Sequence, residues 1–526
     1  MDVPETLPAE GVPAEAVLAE LARMREADLP THGGRLFAYV YDPAVPGLDE
    51  LAASAHALSA HVNGLDPTAF PSLLAMENGI VGAAARLLGG GPDGVPTVVG
   101  SVTSGGTESL LLAVKAARDA RPDVAEPRLV VPASGHAAFA KAAAYLRVAL
   151  DVVAVGPDTL RPDPAAMAAA IGPDTVLVAC SAPSYPYGVV DPVADVAEVA
   201  ARAGVRCHVD ACFGGWLLPY LRRAGRPVPP FGFELPGVTS VSVDLHKYAY
   251  TPKGVSVLLH RDAALRRSQY FGYADWPGYP MLNATVASTR SGGPIAAAWA
   301  TLRFLGDAGY LRLAERTWAA TTGIADAVSG TGGLRLLVAP ESSVVAFTST
   351  AVDLFVLADE LAARGWHTQP QLPYGGLPAS IHLTVTASVA DRVDEFAAAL
   401  RVAVDATREA GPVRVPAELA AAVGDLTADR LSPDLVAQLA AAVGFGAGSG
   451  GSGPDGAGSG SGSGSDGAGP DGAGADGAGS DGAGRDGRGG GVLPDRMATV
   501  NTLLVAVSPE VRAALLIEFV SMLQRP

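Results

Sequence analysis

Short apolar runs recur at residues 98–102, 129–131, 152–155, 176–179, 205–209 and 241–243. Between some of them, 163–171 and 193–202 carry helical spacing. Strands alternating with helices predict an α/β chain with a large, mostly parallel sheet covered on both faces. Ahead of it, Val17, Leu18, Leu21 and Met24 share one helical face in an N-terminal arm, residues 1–60. The large domain then spans 61–316. The texture changes after Thr317, where apolar runs at 344–347 and 380–385 accompany amphipathic stretches at 352–364 and 389–407. These predict a small α+β domain, 317–410, with an antiparallel sheet, followed by a helical extension, 411–445.

Residues 446–491 are almost all Gly, Ser, Ala and Asp, with nothing to bury, and predict a disordered linker. Gly446-Ala-Gly448-Ser-Gly450-Gly451 satisfies G-x-G-x-x-G but follows no strand and opens no helix, so it is no dinucleotide loop. The last segment, 492–526, reads as a helical pair, with Ser508-Pro509 as a helix start.

Composition narrows the partners. A formal charge of -17 over 526 residues, with no Lys/Arg-rich block, argues against nucleic acid and for a small-molecule substrate. Cys180, Cys207 and Cys212 form neither a disulfide framework nor a metal-spaced set, which suits a reducing cytoplasm and no metal. No apolar run approaches a membrane span.

The chemistry gathers around Lys247, which follows an apolar strand in Asp244-Leu-His246-Lys247 and precedes a loop ending at Gly254. A lysine so placed can form an imine with a carbonyl cofactor. Upstream, Ser104-Gly105-Gly106-Thr107 opens a helix whose exposed N–H groups can cradle a phosphate. His136 supplies a ring to stack on a planar group, and Asp210 a carboxylate to pair with a pyridinium nitrogen. Together they describe a site for pyridoxal 5'-phosphate.

With those residues assembled, the chain resembles the fold-type-I pyridoxal phosphate enzymes, within them the group II decarboxylase and sphingosine-1-phosphate lyase superfamily. Ser104-Gly-Gly-Thr-Glu-Ser109, Ser181-Ala-Pro-Ser-Tyr-Pro-Tyr-Gly188, His208-Val-Asp-Ala-Cys-Phe-Gly-Gly215 and Asp244-Leu-His-Lys247 look more like the lyase branch. The resemblance implies an internal aldimine at Lys247, His136 against the pyridine face and Asp210 at the ring nitrogen. It places Ser104, Gly105, Gly106 and Thr107 at the phosphate, with Asp244 and His246 completing the cofactor set. Tyr41, Tyr185 and Lys253 would line the substrate pocket. It also implies a homodimer with shared active sites.

Two segments depart from the lyase pattern. An Asn-Pro-Leu-His-Pro-like loop is replaced by Asn63-Gly-Leu-Asp66-Pro67, which sets a carboxylate where a phosphate partner is expected. A Gly-Ser-Arg-Pro-Gly-like segment becomes Ser288-Thr-Arg290-Ser-Gly-Gly293, which keeps Arg290 without its proline. No Arg or Lys occurs between Trp366 and Asp391 to clamp an α-carboxylate, which weighs against transamination. The expected activity is a carbon–carbon lyase acting on an amine or amino acid, by retro-aldol cleavage or by decarboxylation. A non-catalytic binding or assembly protein of the same fold is the alternative.

Overall fold

The computed structural model describes residues 6–66, 68–415, 423, 426–427, 430–442 and 496–524. The linker expected over 446–491 lies outside the described residues. Two compact units are formed, Leu29–Val413 and Met1–Asp28 with Arg414–Pro526.

The larger unit is built on seven strands: β1 (Val99–Thr103), β2 (Arg128–Pro132), β3 (Ala149–Val153), β4 (Thr175–Ser181), β5 (Arg206–Asp210), β6 (Ser240–Asp244) and β7 (Ser256–His260). Their order is β1-β7-β6-β5-β4-β2-β3. From β3 through β6 every pairing is parallel, whereas β7 runs antiparallel to both β6 and β1. All residues of β4, β6 and β7 are buried. Layers on both faces explain why these strands read as apolar runs rather than alternations. The strand β7 was not anticipated, because nothing local in the chain says that the segment after Lys247 turns back against β6. That reversal places Lys247 in the short connection between two buried strands.

After the β8 (Phe271–Tyr273) and β9 (Met281–Asn283) hairpin, a long helix, Gly292–Ser329, leads away from the large sheet. It is interrupted at Gly306, whose φ of 59° is a left-handed conformation that glycine adopts without strain. The small domain is the expected antiparallel sheet, here β10 (Leu334–Leu336), β11 (Val344–Ser349), β12 (Gln369–Gln371) and β13 (Ser380–Thr384), in the order β10-β11-β13-β12. Asp353 caps one of its helices, Leu354–Ala362, by accepting from the Phe355 and Val356 amides at 2.9 and 3.3 Å.

A segment read from sequence as part of the arm belongs to this small domain. The Phe37 amide donates to the His367 carbonyl at 2.9 Å, and the Phe37 carbonyl accepts from Thr384 at 2.8 Å. Its fully buried ring lies 5.7 Å from Trp366 and 5.1 Å from Phe396, centroid to centroid. Phe37→Ala is expected to destabilise the unit by about 3–5 kcal/mol, read as a lowered urea midpoint. A loss below about 1 kcal/mol would show that this aromatic cluster does not hold the segment in place.

The second unit contains helices Ala14–Met24, Pro433–Ala442, Ala498–Ala506 and Pro509–Leu523. Ser508 accepts from the Val511 amide at 3.3 Å and Pro509 follows it, matching the start signal in the sequence. Val423, Val507 and Val511 form its small buried cluster. Among the described residues no helix is long and apolar enough to cross a membrane.

Candidate active site

A cavity of about 370 Å³ opens where β1, β5 and β6 end, the usual ligand position in an open α/β sheet. Its lining brings together Ser104, Gly105, Gly106, Thr107, His136, Tyr185, Asp210, Asp244, His246 and Lys247. The cofactor residues expected from sequence thus meet in one place, although they span more than a quarter of the chain. Glu108, Leu110, Pro183, Cys212 and Phe213 complete the wall and were not singled out. Most of them sit within or next to the motifs already quoted, so proximity in sequence was the available signal.

The phosphate side is the start of the helix Gly106–Asp119, which has no side-chain cap, so its first amides stay available to an anion. A Cβ on Gly106 would lie 2.8 Å from both Asp244 Oδ1 and Cys212 Sγ, so the loop approaches the strand end as closely as a glycine permits. Glu108 braces the loop: its Oε2 accepts from the Ser104 amide at 2.6 Å and its Oε1 from the Val286 amide at 2.8 Å. His246 donates from Nδ1 to the Val255 carbonyl at 3.0 Å, leaving Nε2 3.7 Å from Asp244.

Lys247 Nζ stands 2.8 Å from Asp244 Oδ2, while Asp244 Oδ1 accepts from Ser256 at 2.5 Å. Burial alone would drive the lysine toward its neutral form, but the Asp244 charge outweighs it and raises the lysine above its ordinary value. Burial likewise opposes ionisation of Asp244, and the Lys247 charge reverses that, holding the carboxyl below its usual range. Asp210 Oδ1 accepts from the Cys212 amide at 3.1 Å and from Ser242 at 3.4 Å. Its Oδ2 has no protein donor among the described residues and is left for the cavity. His136 accepts at Nδ1 from the Ala138 amide at 3.1 Å, which fixes its ring and puts the proton on Nε2.

Tyr185 joins the two domains, donating to Gln369 Oε1 at 2.9 Å and stacking on His382 at 4.6 Å. Tyr41 packs against Phe213 and Tyr248 beside the cavity, and burial raises both Tyr41 and Tyr185 above the ordinary phenol value. Lys253 donates to the Tyr39 carbonyl at 2.7 Å and its Nζ lies 5.1 Å from the centre of the Tyr41 ring. Partial burial, helped by the Lys247 charge, pushes it down to about 8.

Asp66 and Arg290 are not brought into the cavity wall. Asp66 is exposed and accepts from the amide and hydroxyl of Thr68 at 2.8 and 2.7 Å. Arg290 pairs with Glu77 and lines a neighbouring hollow of about 280 Å³ that shares Ser104 and Glu108 with the first. Their two segments meet each other, since Gly64 donates to the Arg290 carbonyl at 2.9 Å and Gly292 to the Val62 carbonyl at 2.7 Å. The two departures from the lyase pattern are therefore one place in the fold.

A Gly-lined anion cradle, a ring-stacking histidine, a carboxylate with a free oxygen and a lysine between strands are the parts of a fold-type-I pyridoxal phosphate enzyme, and the residues present fit that group. The pyridoxal-dependent decarboxylase conserved domain matches residues 3–350, and the C-terminal HTH domain of pyridoxal-dependent enzymes matches residues 466–522. The chain is 35% identical over 422 residues to the sphingosine-1-phosphate lyase of Arabidopsis thaliana, covering 78% of this chain and 75% of the relative. It is 36% identical over 393 residues to that of Dictyostelium discoideum, covering 73% and 71%. The solved sphingosine-1-phosphate lyase of Burkholderia pseudomallei is 36% identical, with a TM-score of 0.73 over 78% of this chain and 94% of that one. The chain belongs to the pyridoxal-dependent decarboxylase family, in the group that holds the sphingosine-1-phosphate lyases, and is a pyridoxal phosphate-dependent lyase.

Proposed function

We propose that the chain cleaves a carbon–carbon bond of a phosphorylated β-hydroxy amine in retro-aldol fashion, releasing an aldehyde and a smaller phosphorylated amine. The observation that carries this reading is the charge of the cavity wall. Lys247 is the only lysine or arginine among its described lining residues, so the wall offers no guanidinium to clamp an α-carboxylate. A substrate without that carboxylate suits it better than an amino acid. The relatives' names point the same way, and with Asp66 turned outward onto Thr68 no carboxylate from that loop opposes a substrate phosphate within the cavity.

Bound there, pyridoxal phosphate supplies a carbonyl that condenses with amines and a ring that draws off electrons when a bond to the amine-bearing carbon breaks. Ser104, Gly105, Gly106 and Thr107 would hold its phosphate, with His246 behind them. His136 would lie against its ring, and Asp210 Oδ2 would hold the proton of its ring nitrogen. Lys247 is the amine that would anchor it and move a proton at Nζ, with Asp244, 2.8 Å away, holding that nitrogen in place. Tyr41, beside the wall, and Tyr185, in it, are kept protonated by burial and would donate to the substrate hydroxyl, Tyr185 by giving up its bond to Gln369. Lys253, which stands outside the cavity wall, would meet the substrate phosphate by exchanging its bond to the Tyr39 carbonyl for one to the phosphate.

One experiment tests both the bond and the charge. Incubation with a phosphorylated β-hydroxy amine is expected to yield aldehyde and the smaller amine without carbon dioxide; carbon dioxide with the rest of the skeleton retained would overturn the reading. Lys253 is an ammonium below about pH 8 and neutral above it. KM is therefore expected to rise by roughly fivefold over the pH unit above that value, and the rise should vanish in Lys253→Met.

A second copy of the chain belongs to this proposal. The hairpin of β8 and β9 leaves Phe271, Tyr273, Tyr279 and Leu282 exposed, and Glu108 ties the following segment to the phosphate loop. A shared site at that surface predicts a dimer by sedimentation equilibrium, and a monomer at micromolar concentration would remove it. Free, buried Cys180, Cys207 and Cys212 suit a cytoplasmic location, which fractionation of the host cell would check. Nucleic acid stays outside the proposal despite the HTH match. Helices Ala498–Ala506 and Pro509–Leu523 carry only Glu510, Arg512 and Glu518 as charged residues, too few cations to hold phosphates along a groove. Retention of the full chain on duplex DNA at physiological salt would reverse this.

A further inference from the structure

Behind the cavity lies a set of buried polar groups that the roles above leave unexplained. Strands β5 and β6 run parallel with His208 opposite Ser240 and Asp210 opposite Ser242. Residues two apart on a strand share a face, so all four side chains stand on one side of the sheet. His208 and Ser242 are fully buried. His208 Nδ1 is 2.8 Å from Ser240 Oγ and its Nε2 is 3.2 Å from Ser242 Oγ. Ser242 Oγ is in turn 3.4 Å from Asp210 Oδ1 and 3.3 Å from Cys212 Sγ.

The directions follow from what each group can do. A carboxylate only accepts, and it outcompetes a neutral ring nitrogen for a hydroxyl proton. The Ser242 proton therefore points at Asp210, which leaves the Ser242 oxygen to accept from His208 Nε2 and from the Cys212 thiol. His208 then carries its proton on Nε2, and Nδ1 accepts from the Ser240 hydroxyl. Every donation runs toward the carboxylate, and each polarises the next.

We propose that Ser240, His208 and Ser242 form a one-way hydrogen-bond relay that stabilises Asp210 as an anion, making His208 and Ser242 positioning residues for the reaction. The proposal rests on the reading that Asp210 holds the proton of the cofactor ring nitrogen. A neutral imidazole is needed for the relay, and burial provides it: desolvation pushes His208 down to about 4 against the opposing pull of Asp210. A charged His208 would have to donate from both nitrogens and could not accept from Ser240. The carboxylate's other oxygen stays free for the ring, so the relay fixes charge and orientation without occupying the contact.

The test uses the full chain loaded with pyridoxal phosphate carrying an isotopic label at the ring nitrogen, whose magnetic resonance signal separates protonated from unprotonated rings. At neutral pH the parent is expected to show a protonated ring and Asp210→Asn an unprotonated one. Ser242→Ala and His208→Leu should shift the signal toward the unprotonated position and weaken cofactor affinity by roughly tenfold. His208→Gln, whose amide N–H can replace Nε2–H, should restore both. A folded Ser242→Ala protein with a fully protonated ring overturns the relay, and that small deletion decides the matter if His208→Leu does not fold. An unchanged signal in Asp210→Asn would instead overturn the reading of Asp210 on which the relay rests.

Discussion

Replacing Lys247 by alanine is expected to lower turnover by roughly 10³-fold or more, and to leave no cofactor on the chain after borohydride reduction. Lys247 is the only amine among the described cavity residues, and its Nζ is held 2.8 Å from Asp244. Arginine should not rescue it, because a guanidinium stays protonated and cannot condense with a carbonyl. The alanine protein also leaves the buried Asp244 carboxylate without its cation, so some loss of stability accompanies the loss of activity. The double variant Lys247→Ala with Asp244→Asn removes that charge; it should recover stability and remain inactive. Absorbance and borohydride trapping are the measurements. Cofactor trapped on another residue of the alanine variant would mean that the anchor has been assigned wrongly.

Gly106→Ala should weaken cofactor binding by about 10²-fold and cost the unliganded protein about 1–3 kcal/mol of stability, whereas Gly105→Ala should leave the stability of the unliganded protein close to unchanged. The two glycines are adjacent and look equivalent in sequence. At Gly106 the new methyl would meet Asp244 and Cys212 at 2.8 Å, and neither can yield. Asp244 is fixed from one side by Ser256 and from the other by Lys247, and Cys212 is buried. At Gly105 the nearest atom to the new methyl is His246 Cε1 at 3.9 Å, and its φ of 171° is extended backbone open to any residue. Urea unfolding of the unliganded variants distinguishes the two, and equal losses would show that the loop moves as a whole to relieve the contact.

The parallel strands were legible because burial on both faces turns them into apolar runs, and the small sheet because its segments carry period-two or helical texture. The cofactor residues were legible because each ends a strand or lies in the segment after one, and strand ends of an α/β sheet converge. Other features depend on partners remote in sequence. Nothing near Arg290 announces Glu77 as its mate, and nothing near Phe37 announces Trp366 and Phe396. The alternation of His208 with Asp210 and of Ser240 with Ser242 was visible, but it acquires meaning only once the two strands are known to be neighbours in that register. Asp66 was expected at the substrate by position in a motif, and its own turn with Thr68 holds it elsewhere.

The placement of β1 bears on how the protein is made. Its residues precede all the other strands, yet its sheet partner is β7, with Val99 opposite His260. As the chain leaves the ribosome, the phosphate loop after β1 emerges early and has no strand to lean on until the β6–β7 reversal has formed. Contacts that close so long a loop come late and slowly. Capture of pyridoxal phosphate is therefore among the last events of folding, and a nascent chain ending before Ser256 should retain none.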